Sequence, residues 1–82
     1  MNSRQIRKFL EKIIAKYELR AEVDSWAEYF GKNPKRLSVW TLSTYVKAAL
    51  TGKTTLRIGR EKAIEVVHEI NEVLPEREHM LF

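Results

Sequence analysis

Apolar residues at Ile6, Phe9, Leu10, Ile13, Ile14 and Tyr17 recur at intervals of three and four. That spacing gathers them on one side of an α-helix and scatters them over both faces of a β-strand. Three turns of it commit the start of the chain to a helix whose apolar stripe needs partners. Ser3 is placed to cap it. The opposite face, Arg4, Arg7, Lys8, Glu11, Lys12, Lys16 and Glu18, is that of a solvated helix, and its cations also have some reach toward phosphate.

The same period returns three times. Val23, Trp26, Ala27 and Phe30 predict a helix of about two turns, capped by Asp24 or Ser25 and ended by Gly31 in a left-handed conformation. Pro34 lacks a donor and pushes Asn33 out of helical geometry, so 32–36 reads as a basic loop. Ser38 then opens a third helix, with Leu37 and Leu42 spaced as a hydrophobic staple and Val39, Leu42, Val46, Ala49 and Leu50 as the buried stripe. At 100° per residue, Trp40, Thr41, Thr44, Lys47, Ala48 and Thr51 fall on the outward side, with Tyr45 at its margin. Gly52 ends that helix, and 53–58 reads as a threonine-rich connection. A last helix over about 59–74 buries Ala63, Val67, Ile70, Val73 and Leu74, turns Glu61, Glu65, Glu69 and Glu72 outward, and stops at Pro75. The expected fold is an all-α globule of four helices, with room for a fifth, forming one domain over 1–82 with a tail at 75–82.

Length bounds what such a globule can do. At 82 residues the chain has the size of one core, which leaves little room for a cleft between subdomains. The absence of cysteine removes disulfide frameworks, thiol nucleophiles and thiolate metal sites. His68 and His79 are too far apart in sequence to make a metal pair, and no glycine-flanked serine offers a nucleophile on a sharp turn. Asp24 and Glu28 share a helical face, as a cap and a solvated carboxylate do. The stretch Thr51, Gly52, Lys53, Thr54 and Thr55 looks like the end of a phosphate-binding loop, but Lys47 stands where that loop needs its first glycine, and a helix leads in where a strand should. We therefore expect no enzyme, no cofactor and no small-molecule substrate. With no apolar run long enough for a membrane span and no secretory signal, the expected place of action is the cytoplasm.

Charge is the more telling feature. The net +4 is divided unevenly: residues 1–60 hold 13 Lys/Arg and 5 Asp/Glu, whereas 61–82 hold 2 and 6. Lys32, Lys35, Arg36, Lys47, Lys53, Arg57 and Arg60 occupy a stretch, 32–60, without one acidic residue. A surface kept clear of carboxylates fits an anionic partner, nucleic acid before an acidic membrane. On this reading Thr41, Thr44 and Lys47 line the uncrowded side of the third helix and enter a major groove. Lys35 and Arg36 before it, and Lys53 and Arg57 after it, neutralise phosphates on either side. Ser38 serves as cap and can also meet phosphate. Trp40 either faces bases or folds back into the core, and Tyr45 can pack its ring inward while its hydroxyl reaches out.

Those residues carry a resemblance. Ala27, Glu28, Tyr29, Phe30 and Gly31, followed by Leu37, Ser38, Val39, Trp40, Thr41, Leu42, Ser43, Thr44, Tyr45 and Val46, resemble the helix-turn-helix of lambda-repressor-like domains, most of all the lactose-repressor branch. Here the turn is lengthened by 32–36. The resemblance covers roughly 23–74, with the helix-turn-helix over about 23–51. It implies a small transcriptional regulator of the phage or plasmid repressor kind, bound as a homodimer to paired half-sites of double-stranded DNA. Trp40, Thr41 and Thr44 would then face bases, and Lys47 base or phosphate. Two other readings share the composition: a helical protein-interaction module that works through the acidic last helix and the apolar Met80, Leu81 and Phe82, and a module for structured RNA.

Overall fold

The computed structural model describes residues 2–74, and over them the chain is all-helical. Five helices are formed: α1 (Ser3–Lys16), α2 (Arg20–Tyr29), α3 (Val39–Thr51), α4 (Thr55–Ile58) and α5 (Arg60–Glu72), with a 3₁₀ turn at Pro34–Arg36. The expected tail, 75–82, lies outside the described residues. No helix among those described is long and apolar enough to cross a membrane.

The stripe of α1 is buried as its spacing requires, through Ile6, Leu10, Ile13 and Ile14. Its cap is one residue earlier than expected. Asn2, not Ser3, takes the position, because its Oδ1 accepts from the Gln5 backbone N–H at 2.9 Å while Gln5 Oε1 accepts from the Asn2 N–H at 3.0 Å. That reciprocal pair satisfies two donors that a lone serine would leave one short.

The end of α1 decides where α2 begins. Glu18 adopts φ +54, and Leu19 N–H donates back to Ile14 C=O at 2.9 Å, closing the helix in a Schellman-type turn without a glycine. Leu19 is fully buried, and its carbonyl already accepts from Val23 N–H. The turn thus feeds straight into α2 at Arg20, so neither Asp24 nor Ser25 caps it. At its other end α2 finishes as expected: Gly31 has φ +68, and Lys32 N–H reaches Ala27 C=O at 2.8 Å.

α3 packs against α1, α2 and α5 and is the centre of the molecule. Ser38 caps it, its Oγ accepting from Thr41 N–H at 3.2 Å. Val39, Leu42, Val46, Ala49 and Leu50 are buried, as is Leu37 before them. Each Val or Leu side chain taken from water contributes about 1.5–3 kcal/mol, which makes α3 the largest single holder of the core. The connection after it is helical where a loop was expected: Thr55–Ile58 forms one turn, and the fully buried Thr54 hydroxyl donates to Glu22 Oε2 of α2 at 2.8 Å. α5 then covers α3 with Ala63, Val66, Val67 and Ile70, and keeps Glu61, Glu65, Glu69 and Glu72 exposed.

Two of the positive-φ positions, Gly31 and Glu18, make opposite demands. A β-carbon in that region costs about 1–2 kcal/mol, so Gly31→Ala should lower stability by about that amount. Glu18→Gly should raise it by on the order of 1 kcal/mol, since Glu18 carries the strain that glycine avoids. Urea melts of the two variants against the natural chain measure both shifts.

Candidate nucleic-acid interface

The side of α3 that faces away from the core carries Trp40, Thr41, Thr44, Ala48 and Thr51. Thr44 is exposed and the other four are half-buried. Two of the three threonine hydroxyls donate to the helix itself: Thr44 Oγ1 to Trp40 C=O at 3.0 Å and Thr51 Oγ1 to Lys47 C=O at 3.1 Å. What remains outward is a strip of methyl groups and hydroxyl lone pairs without formal charge. Trp40 also packs its ring partly against the core cluster, so it serves the fold as well as the surface.

Two residues expected on that strip are not there. Lys47 is only 3% exposed, and its Nζ donates to Asn71 Oδ1 of α5 at 3.5 Å. The flank of α3 that helical spacing left open is where α5 docks, and a lysine's long aliphatic stem packs at such a seam. Tyr45 is buried too: Phe30, the residue just after α2, lies parallel over its ring at 6.0 Å between centroids. Neither side chain is presented to a groove.

Arg57 is also committed within the fold. Its guanidinium donates to Tyr17 C=O and Thr54 Oγ1, both at 3.3 Å, and stands 3.5 Å from Glu18 and from Glu22. It ties the end of α1 to α2 and α4, and two carboxylates meet its charge. The expectation that Arg57 neutralises backbone phosphate is thereby weakened by its neighbours.

Four of the expected residues do come together, at the N-terminus of α3. The 3₁₀ turn is set by Asn33, whose Oδ1 accepts from Lys35 N–H at 3.0 Å, and this holds Lys35 and Arg36 on the surface. Arg36, Ser38 and Thr41 line a shallow concavity with Lys32, Asn33 and Leu37, about 330 Å³ in volume. Ser38 Oγ, besides capping, donates to Thr41 Oγ1 at 3.0 Å. No ion pair among the described residues engages Lys32, Lys35 or Arg36. Lys53 is exposed at the other end of α3, beside Trp26, Ala48 and Gly52. A helix of 13 residues is roughly 20 Å long, and that length separates Lys53 from the main cluster.

Arg7 was not among the expected site residues, yet its Nη2 donates to Leu37 C=O at 2.7 Å, across 30 positions of sequence. This places a further guanidinium at the entry to α3. Nothing local in the sequence marks Arg7, which shares its helix face with other cations; only the docking of α1 on α3 selects it.

α2 lies alongside α3 over its whole length and in the opposite direction. Glu22 meets Thr54, Trp26 shares a groove with Ala48 and Gly52, Phe30 covers Tyr45, and Lys32 shares the concavity with Thr41. Among the described residues no group of His, Asp and Glu is arranged to hold a metal ion. Comparison with protein-family models, with curated proteins and with solved structures finds no match to this chain.

Burial of Lys47 predicts a stability role. Lys47→Ala should destabilise the fold by on the order of 1–3 kcal/mol, because the stem leaves a packed seam, whereas an exposed lysine would change stability by less than about 0.5 kcal/mol. Paired denaturation curves of Lys47→Ala and Lys35→Ala test the contrast.

Proposed function

We propose that this chain binds double-stranded DNA as a small transcriptional regulator in the cytoplasm, without catalytic activity, and that it approaches DNA with the N-terminal end of α3. One observation carries the reading: Lys32, Lys35, Arg36 and Arg7 surround the start of a 13-residue helix, and no carboxylate lies among the residues lining that concavity. The first turn of a helix adds partial positive charge from its unpaired N–H groups, so helix and cations attract the same phosphates. These contacts bind and orient the duplex without reading it.

Sequence would be read by the residues just behind. Thr41 and Thr44 offer hydroxyl lone pairs and methyl groups, which suit base edges and the thymine methyl in a major groove. Trp40 and Ser38 border them. Lys53, about 20 Å away along α3, would meet a phosphate farther along the duplex. Relative to the reading from sequence, Lys47 and Tyr45 leave the interface, and Arg57 becomes a support for it. The resemblance to lambda-repressor-like domains supports this assignment, with the turn before α3 longer than in that family.

Titration of labelled duplex DNA at several salt concentrations tests the proposal. Each phosphate contact contributes about 0.9 to the slope of log affinity against log salt. Lys35→Ala and Arg36→Ala should each flatten that slope by about one and weaken all sequences alike. Thr44→Ala should instead narrow the gap between preferred and random duplexes. Binding that ignores salt, or wild-type slopes in both cation variants, rejects the assignment. Duplex RNA is the control, since its narrow major groove excludes a helix.

A further inference from the structure

The outer face of α1 carries Arg4, Lys8, Lys12 and Lys16, all exposed and spaced by four residues. Each step is about 6 Å along a helix, so the four make a row about 18 Å long. α1 and the turn after it also hold two carboxylates, and both are turned elsewhere. Glu11 follows Arg7 by four residues and Lys8 by three, the spacings at which helix neighbours pair, yet it pairs with Arg20 of α2. Glu18 goes to Arg57 of α4 at 3.5 Å. No ion pair among the described residues engages Arg4, Lys8, Lys12 or Lys16.

The row faces away from α3. α1 buries Ile6, Leu10, Ile13 and Ile14 in the core, and Lys8 and Lys12 stand about half a turn from them. On α3, Thr44 points outward, while Phe30 covers Tyr45 on one flank and Asn71 meets Lys47 on the other. α2 and α5 thus hold the flanks, and α1, the third helix packed on α3, lies behind it. The Thr44 face and the face of Lys8 and Lys12 therefore look in opposite directions across a molecule 21 Å deep in its shortest dimension.

We propose that the outer face of α1 binds the phosphate backbone of a second DNA duplex, so that one chain bridges two duplex segments, one at the start of α3 and one at α1. The inference rests on the DNA reading above, which supplies the first duplex. Charge selects the second occupant: a row of cations whose neighbouring carboxylates are already paired attracts a polyanion, and phosphate contacts from lysine and arginine need no particular base sequence. The surface between the cations offers no apolar side chain larger than Ala15, so nothing on this face enters lipid below the headgroups. The two duplexes also tolerate each other, because 21 Å is about twice the Debye length of ~10 Å at 0.1 M salt.

A duplex tethered to beads, loaded with the full chain at about 50 mM salt and then offered a labelled duplex of unrelated sequence, tests the proposal. The natural chain should retain the labelled duplex and release it at about 200 mM salt. Lys8→Glu combined with Lys12→Glu, both at exposed positions, should cut retention at least about tenfold. That variant should keep its helical circular dichroism and still load onto the tethered duplex. Lys35→Ala combined with Arg36→Ala should also cut retention, because the other face is then lost. A natural chain that loads but retains no second duplex overturns the proposal and leaves the DNA reading standing, whereas no loading at all overturns both. Retention that survives in the Lys8 and Lys12 double variant overturns it as well, since paired copies or another face then make the bridge. Anionic lipid vesicles that bind the natural chain through Lys8 and Lys12, with no second duplex retained, assign the face to a membrane instead.

Discussion

A helix of thirteen residues that buries eight of them must be enclosed on three sides, and α3 is enclosed by α1, α2 and α5. The rest of the molecule follows from that burial. α1 brings Ile6, Leu10, Ile13 and Ile14 to one side, α2 brings Val23 and Ala27 to another, and α5 closes the third with Val66, Val67 and Ile70. Contacts between helices distant in sequence do most of the joining, so the elements are stable through each other, as short helices usually are.

Enclosure also sorts the cations. The acid-free stretch looks uniform in sequence, yet its members end in different roles. Lys47 lies in the seam between α3 and α5, and Arg57 braces α1 against α2 and α4. Lys32, Lys35 and Arg36 remain outward at one end of α3, and Lys53 at the other. The same packing draws Arg7 from the general basic face of α1 to the Leu37 carbonyl. A charge pattern along a chain therefore describes supply; the docking of helices decides which charges serve the fold and which face a partner.

Aromatic residues show the same division in reverse. Helical spacing assigns Trp26 and Phe30 to the buried side of α2 together with Val23 and Ala27, but only the two smaller side chains are fully seated in the core. The larger rings are left to pack on each other and on Tyr45. Their exposure gives the molecule a second outward feature, uncharged and rigid, apart from the basic end of α3.

Periodicity alone determined that the chain is helical, that Ile6, Leu10, Ile13 and Ile14 of α1, Val39, Leu42, Val46, Ala49 and Leu50 of α3 and Ala63, Val67 and Ile70 of α5 are buried, that Ser38 caps α3 and that Gly31 ends α2. Each of these depends on the geometry of a single helix and its immediate neighbours in sequence. Less was legible where the cue was missing or shared. The turn at Glu18 has no glycine to announce it, so the start of α2 was read late. The helical turn at Thr55–Ile58 is too short to show a period. Only the tertiary structure decided the fates of Lys47, Tyr45, Arg57 and Arg7, because the flank of a helix that is open in isolation is closed or not according to which neighbour docks there. A one-dimensional pattern gives the angle of a side chain about its own axis, and burial depends on what occupies that angle from outside.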